Sequence, residues 1–301
     1  MRPFIFILIF VISTSLFLAS PSDSFDRDSY LAHFEGLITF DFTNPLSYIF
    51  DEPLWVVYSI LFGLILEPNI AYAITIILST MLFFSSFRYK GLLSLLAVLL
   101  FFIIHPFLYK ELFNNQIRQG FALSTVLFSL RYGFMNNNKK CLFLVFLGGL
   151  IHVSALYFLF FMAFFHFSFR GKILLLFSIS IILFLGTSIF SDSIMSKFNT
   201  HKDDGVFNIN FYLLQAVLFF PFLLLIFLRE YTHNHDMLYS IITFWLLTLI
   251  VSLINPMASG RLLYFPTILL FYYVFHQKDF RIKSLFVPYT FMAAILLLMA
   301  K

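Results

Sequence analysis

A few residues in this chain stand where a charge or a titratable ring is costly unless it has a task. Arg118 lies in Asn114-Asn-Gln-Ile-Arg-Gln-Gly-Phe-Ala122, at the head of an apolar run, and Arg261 lies in Asn255-Pro-Met-Ala-Ser-Gly-Arg-Leu-Leu-Tyr264, at the head of another. A guanidinium keeps its charge and presents a planar fork of donors that matches phosphate oxygens. The plain alternative for each is an interfacial arginine snorkelling to lipid headgroups. His152 occurs in Gly148-Gly-Leu-Ile-His-Val-Ser-Ala-Leu156. Its ring ordinarily titrates near neutrality, so it could take the proton of a hydroxyl group. The bland reading is a packed histidine bonded to a carbonyl that the glycines open. Asp26, Asp28 and Tyr30 form a polar group in which a carboxylate could serve as base or hold a sugar hydroxyl and the phenol ring could stack on a pyranose. A solvated acidic loop is the competing reading. Glu52, directly before Pro53, is a candidate of the same kind. His105 before Pro106 reads as a residue at a helix kink. Lys197, His201, Lys202, Asp203 and Asp204 read as a connecting loop or a lid.

The elements that position these residues are helices in lipid. Of 301 residues, 61% are hydrophobic and 11% charged, and the mean hydropathy is +0.94. A water-facing surface needs roughly 25% charged residues, so lipid must be the solvent, and an open chain in lipid satisfies its backbone only as α-helix. The expected fold is therefore an all-α, polytopic membrane protein in one domain. It would have about ten to eleven spanning or half-spanning helices and a cavity on one face. Apolar runs occupy 3–19, 53–66, 69–87, 91–109, 120–135, 141–166, 173–190, 211–228, 237–254, 262–275 and 284–300. The first resembles an uncleaved signal-like helix, with Pro21 just past its Leu18-Ala19-Ser20 end.

Charge placement orients these runs. Arg88/Lys90, Lys139/Lys140, Arg170/Lys172, Arg229 and Lys278/Arg281/Lys283 read as cytoplasmic clusters, whereas 20–52 holds seven acidic residues against Arg27 alone. Placing every cluster inside requires 53–66, which ends at Glu67-Pro68, to dip in or lie at the interface. It also requires 141–166 to break near Gly148-Gly149 and His152 into two short helices. One long tilted helix is the alternative there. In the first arrangement 20–52, 110–119, 191–210, 255–261 and the neighbourhood of His152 face outward. The net charge of +4 contains no basic run longer than two, so nucleic acid is not an expected partner. The single cysteine, Cys141, excludes an internal disulfide. P-loop, His-Glu-x-x-His and Gly-x-Ser-x-Gly signatures are absent, and no carboxylates have the spacing of a metal pair, so neither metal nor cofactor is expected. The 46 phenylalanines carry no functional weight.

Taken in order, Asp26-x-x-x-Tyr30, Glu52-Pro, Arg118-Gln119-x-x-Ala122, Lys139-Lys140, His152-x-Ser-Ala-Leu156 and Arg261-x-x-Tyr264 resemble the EpsG-type family of bacterial polysaccharide polymerases, relatives in function of Wzy O-antigen polymerases. Before Asp26 the family pattern has an Arg and a Gly, where this chain has Ser22–Phe25. The resemblance implies a membrane glycosyltransferase that polymerises undecaprenyl-diphosphate-linked repeat units into O-antigen or exopolysaccharide at the periplasmic face of the inner membrane, beside a chain-length-regulating co-polymerase. His152, Asp26 and Asp28 would then be catalytic. Arg118, Arg261, Tyr30, Glu52, Tyr264 and Gln119 would hold diphosphate and glycan. An O-antigen ligase, a membrane O-acyltransferase and a lipid-linked oligosaccharide flippase are the alternatives. A flippase should show a longer chain with a charged cavity open to both faces.

Overall fold

In a computed structural model of the protein, residues 3–18, 26–36, 52–89, 92–104, 112–114, 116–133, 138–189, 235–254, 262 and 264–276 are described. Among these the chain is helical with no strand. The α-helices are α1 (Pro3–Leu18), α2 (Arg27–Phe34), α3 (Pro53–Ile65), α4 (Pro68–Ser85), α5 (Leu92–Ile104), α6 (Ile117–Gly133), α7 (Asn138–Ile151), α8 (Phe158–His166), α9 (Phe169–Ile189), α10 (His235–Ile254) and α11 (Tyr264–His276). A 3-10 helix, Val153–Tyr157, separates α7 from α8. By length and hydropathy together, α4 is the one helix among the described residues long and apolar enough to cross a membrane alone; several others are apolar but shorter.

The breaks fall where local chemistry requires them. Pro53 and Pro68 occupy the first turns of α3 and α4, where a missing backbone N–H removes no helical bond. The 13 residues of α3 rise about 20 Å, short of the roughly 30 Å hydrocarbon layer. The 141–166 run is interrupted as its glycines suggest: α7 ends at Ile151 and His152 takes an extended backbone (φ −153°, ψ 124°). Gly148 lies against Val126 and the Ala122 carbonyl, so α7 comes close to α6, and a Cβ on Gly149 would overlap the Leu156 side chain folding back from the 3-10 helix. In the 20–52 stretch, read from sequence as an outer loop, residues 27–34 form a helix.

The chain divides into two compact units, residues 1–158 and 159–301. In the first, α4 packs against α1, α2 and α6, and α6 pairs along its length with α7. Its core is aromatic: Phe83 and Phe102 rings lie 4.8 Å apart and Phe102 and Phe113 5.0 Å apart. The phenylalanines are thus packing. Helical hydroxyls bond the carbonyl one turn back, Thr75 to Ala71 (2.7 Å) and Thr80 to Ile76 (2.8 Å), which spares them an unpaired state in an apolar interior. Phe4, Ile7 and Phe10 on α1 and Leu61, Leu64 and Ile65 on α3 stand exposed, faces that suit an apolar surround. In the second unit, Lys172 at the head of α9 is buried and donates to the Asp236 carbonyl (3.2 Å) at the head of α10. The described side chains of α11 are buried from Tyr264 to Val274, as expected of a helix apolar all round.

Candidate functional site

The first unit brings Arg118 and His152 onto the carboxylate of Glu52, with Tyr30 beneath Arg118. Glu52 precedes α3 and is the one non-glycine residue with positive φ among the described residues (φ 58°, ψ 62°). That left-handed conformation is costly for a side chain with a Cβ. It turns the carboxylate inward, where the side chain is 7% exposed. Oε2 accepts from Arg118 Nη1 at 2.7 Å, 66 residues along the chain. Oε1 lies 3.6 Å from His152 Nδ1 and 3.4 Å from the Val153 N–H, which donates to it.

Arg118 stands on the first turn of α6, and its side chain keeps about a third of its surface. Its guanidinium carbon lies 5.6 Å from the centre of the Tyr30 ring, a cation over an aromatic face. Tyr30 is buried in α2 with its ring edge-on to Trp55 at 5.9 Å. Burial pushes the phenol's pKa up, and Arg118 pulls against that. Gln119, beside Arg118, is buried. Arg118 Nε, Ser154 Oγ, Gln116 Oε1 and Trp55 Nε1 are buried without a hydrogen-bond partner among the described residues. Orphaned polar atoms on or beside one cluster are what a site awaiting a polar ligand presents.

His152 has two duties. Its Nδ1 accepts from the Ser154 N–H (3.1 Å), capping the 3-10 helix, and the same atom faces Glu52. With Nδ1 accepting, the proton of a neutral ring sits on Nε2. Asp26 precedes α2, half-buried, and its charge acts on both Tyr30 and Arg118. Asp28 is exposed on the first turn of α2 and makes none of these contacts among the described residues. Tyr264 is buried at the start of α11 in the second unit. Arg261, His105 and the 191–210 loop lie outside the described residues.

Two contributors were not among the sequence's site candidates. Arg27 Nη2 donates to Asn69 Oδ1 (2.9 Å) and lies over the Tyr72 ring, tying α2 to α4. His33 packs edge-on to Trp55 (6.1 Å) on the same side of α2 as Tyr30. The Tyr30-x-x-His33 spacing, one helical turn, was the available signal. Burial, and then the Arg118 charge, lower the His33 pKa from its ordinary 6.5 to about 4. Between those values an unfolded chain binds a proton that the folded chain refuses. Stability is therefore full above about pH 6.5 and falls as pH drops toward 4. The thermal midpoint of detergent-solubilised protein is expected to drop by roughly 3 °C or more between neutral pH and pH 5. His33→Gln should flatten that drop; an equal drop in the variant would acquit His33.

Mostly apolar helices among the described residues, with an arginine and a histidine meeting on one buried glutamate, have the make-up of a membrane-associated enzyme. The model of the EpsG family matches residues 4–301, nearly the whole chain, and the protein belongs to that family of Wzy-like polysaccharide polymerases. No curated protein and no solved structure matches it.

Proposed function

We propose that the protein is a multi-pass enzyme of the bacterial inner membrane that polymerises undecaprenyl-diphosphate-linked oligosaccharide repeat units at the periplasmic face, transferring the growing glycan from its lipid diphosphate to a hydroxyl of the next unit. The observation that carries this reading is the Arg118–Glu52–His152 cluster in a member of a polysaccharide polymerase family. As the glycosidic bond breaks, negative charge grows on the diphosphate, and a fixed guanidinium answers it. The acceptor hydroxyl must lose a proton, and His152 is the group suited to take it. Tyr30, buried beneath Arg118, supports the guanidinium from below. Arg261, Tyr264 and Gln119 are further substrate-binding candidates on sequence grounds. A chain-length-regulating co-polymerase is the proposed partner.

Deleting the gene and resolving surface glycan by gel tests this. A polymerase mutant keeps lipid carrying a single repeat unit and loses the ladder of longer chains. Loss of the single unit as well would point to a ligase or flippase, and an intact ladder would sink the polymerase reading.

A further inference from the structure

We propose that Ser154 is a substrate-binding residue whose side-chain hydroxyl bonds a hydroxyl of the acceptor sugar beside His152. This rests on the glycosyl-transfer reading above. Most buried hydroxyls of the described helices turn back onto a carbonyl of the preceding turn, as Ser79 does to Ile76, Thr125 to Phe121 and Thr248 to Phe244. Ser154 Oγ is buried and has no hydrogen-bond partner among the described residues. The cause is local. His152 breaks the helix with an extended backbone, so the turn behind Ser154 is not helical and sets no carbonyl beneath its side chain. A hydroxyl left unbonded in an apolar interior is costly, and it needs a reason. Ser13, Thr14 and Ser124 share the lack. What singles out Ser154 is its place. Its own N–H donates to His152 Nδ1 (3.1 Å), and the N–H before it, of Val153, donates to Glu52 Oε1 (3.4 Å).

The turn is held firmly. Ala155 packs against Gly148 and Leu156 against Gly149, where a larger residue would collide with them. His152, Val153 and Ser154 are half-buried, so rotation about the Ser154 Cα–Cβ bond carries Oγ toward the open side of the turn. Position also selects the ligand. Arg118 donates to Glu52 Oε2, whereas the 152–154 turn meets Oε1. The cation thus stands at one oxygen and Ser154 beside the other. A phosphate is matched by the guanidinium. A neutral group that both donates and accepts is matched by another hydroxyl, and the acceptor sugar supplies one next to the group that takes its proton.

The test compares full-length wild type and Ser154→Ala in lipid nanodiscs. The substrate is the lipid-linked single repeat unit extracted from the gene-deletion strain, with elongation followed by gel. Binding of labelled inorganic pyrophosphate and the thermal midpoint are measured in parallel. Ser154→Ala should raise KM for the unit about three- to tenfold, the loss of one neutral hydrogen bond, while kcat stays within about twofold. Pyrophosphate binding should be unchanged. The thermal midpoint should hold or rise by up to about 2 °C, because a hydroxyl without a partner adds nothing to the fold. A midpoint several degrees lower would mean that the hydroxyl serves the turn, and overturns the assignment. Weakened pyrophosphate binding would mean that Ser154 holds phosphate, and overturns the sugar ligand. A wild-type KM in Ser154→Ala overturns the assignment alone. No elongation by the wild type overturns the transfer reading beneath it.

Discussion

Arg118→Ala is expected to abolish the polymer ladder, lowering polymer at least about 100-fold while the protein remains in the membrane. A preorganised donor aimed at developing charge is worth about 10²–10³ in rate, and Arg118 is the charged donor of the described cluster. The substitution also has a structural cost, since the buried Glu52 would lose the guanidinium that donates to it at 2.7 Å. Breaking a fully buried pair costs about 3–5 kcal/mol, and the third of its surface that Arg118 exposes brings the figure nearer 2 kcal/mol. The two effects separate in a double variant. Arg118→Ala combined with Glu52→Gln also removes the buried carboxylate charge, so the thermal midpoint should recover much of its loss while the ladder stays absent. Arg118→Lys should not rescue activity. An ammonium is a point charge without the planar fork, and cannot bond Glu52, cover Tyr30 and meet a phosphate together. A normal ladder from Arg118→Ala, with abundance checked by immunoblot, would refute the clamp.

The second large effect is expected at a residue with no functional group. Gly63 on α3 lies so close to α2 that a Cβ there would overlap the backbone carbonyl of Phe34. A side chain can swing from such a clash, but a backbone carbonyl cannot. Gly63→Ala must therefore push α2 away as a body, and Tyr30 travels with it off the Arg118 guanidinium. Overpacking of this kind costs about 1–3 kcal/mol; the polymer ladder should fall at least about tenfold, because misplacing substrate-binding groups by an ångström costs up to about 100-fold. Gly36→Ala is the control. Gly36 has φ +70° with nothing near its would-be Cβ, so it bears backbone strain, about 1 kcal/mol, without steric conflict. If Gly63→Ala and Gly36→Ala give equal ladders and equal thermal midpoints, the close approach of α2 and α3 is not what positions Tyr30.

Helical class, the breaks at Glu67-Pro68 and at His152, and the choice of Arg118 and His152 as candidates were all legible along the chain. Each depends on local chemistry: proline lacks an N–H, paired glycines weaken a helix, and a charge at the head of an apolar run is expensive. Glu52 was a candidate from the sequence, but its burial and its contact with Arg118 were not legible. Nothing local tells a pre-proline glutamate in a solvated loop from one turned inward by a left-handed backbone. Asp26 and Asp28 looked equivalent for the same reason. Only the helical register of α2 separates them, setting Asp28 on the exposed side while Asp26 acts on Tyr30 and Arg118.

What the composition determined by itself was the helical kind of fold and the expectation of lipid as its solvent. A chain 11% charged and 61% hydrophobic cannot coat itself for water, and lipid leaves an open chain little besides helices. Which charges answer one another was decided by tertiary structure alone. Glu52 finds Arg118 across 66 residues and the Val153 N–H across 101. Ion pairing acts over a few ångströms of space, so no pattern of neighbours in sequence records it. Gly63 sets the approach of α2 to α3, Gly148 brings α7 close to α6, and an unusual backbone at Glu52 faces the carboxylate inward.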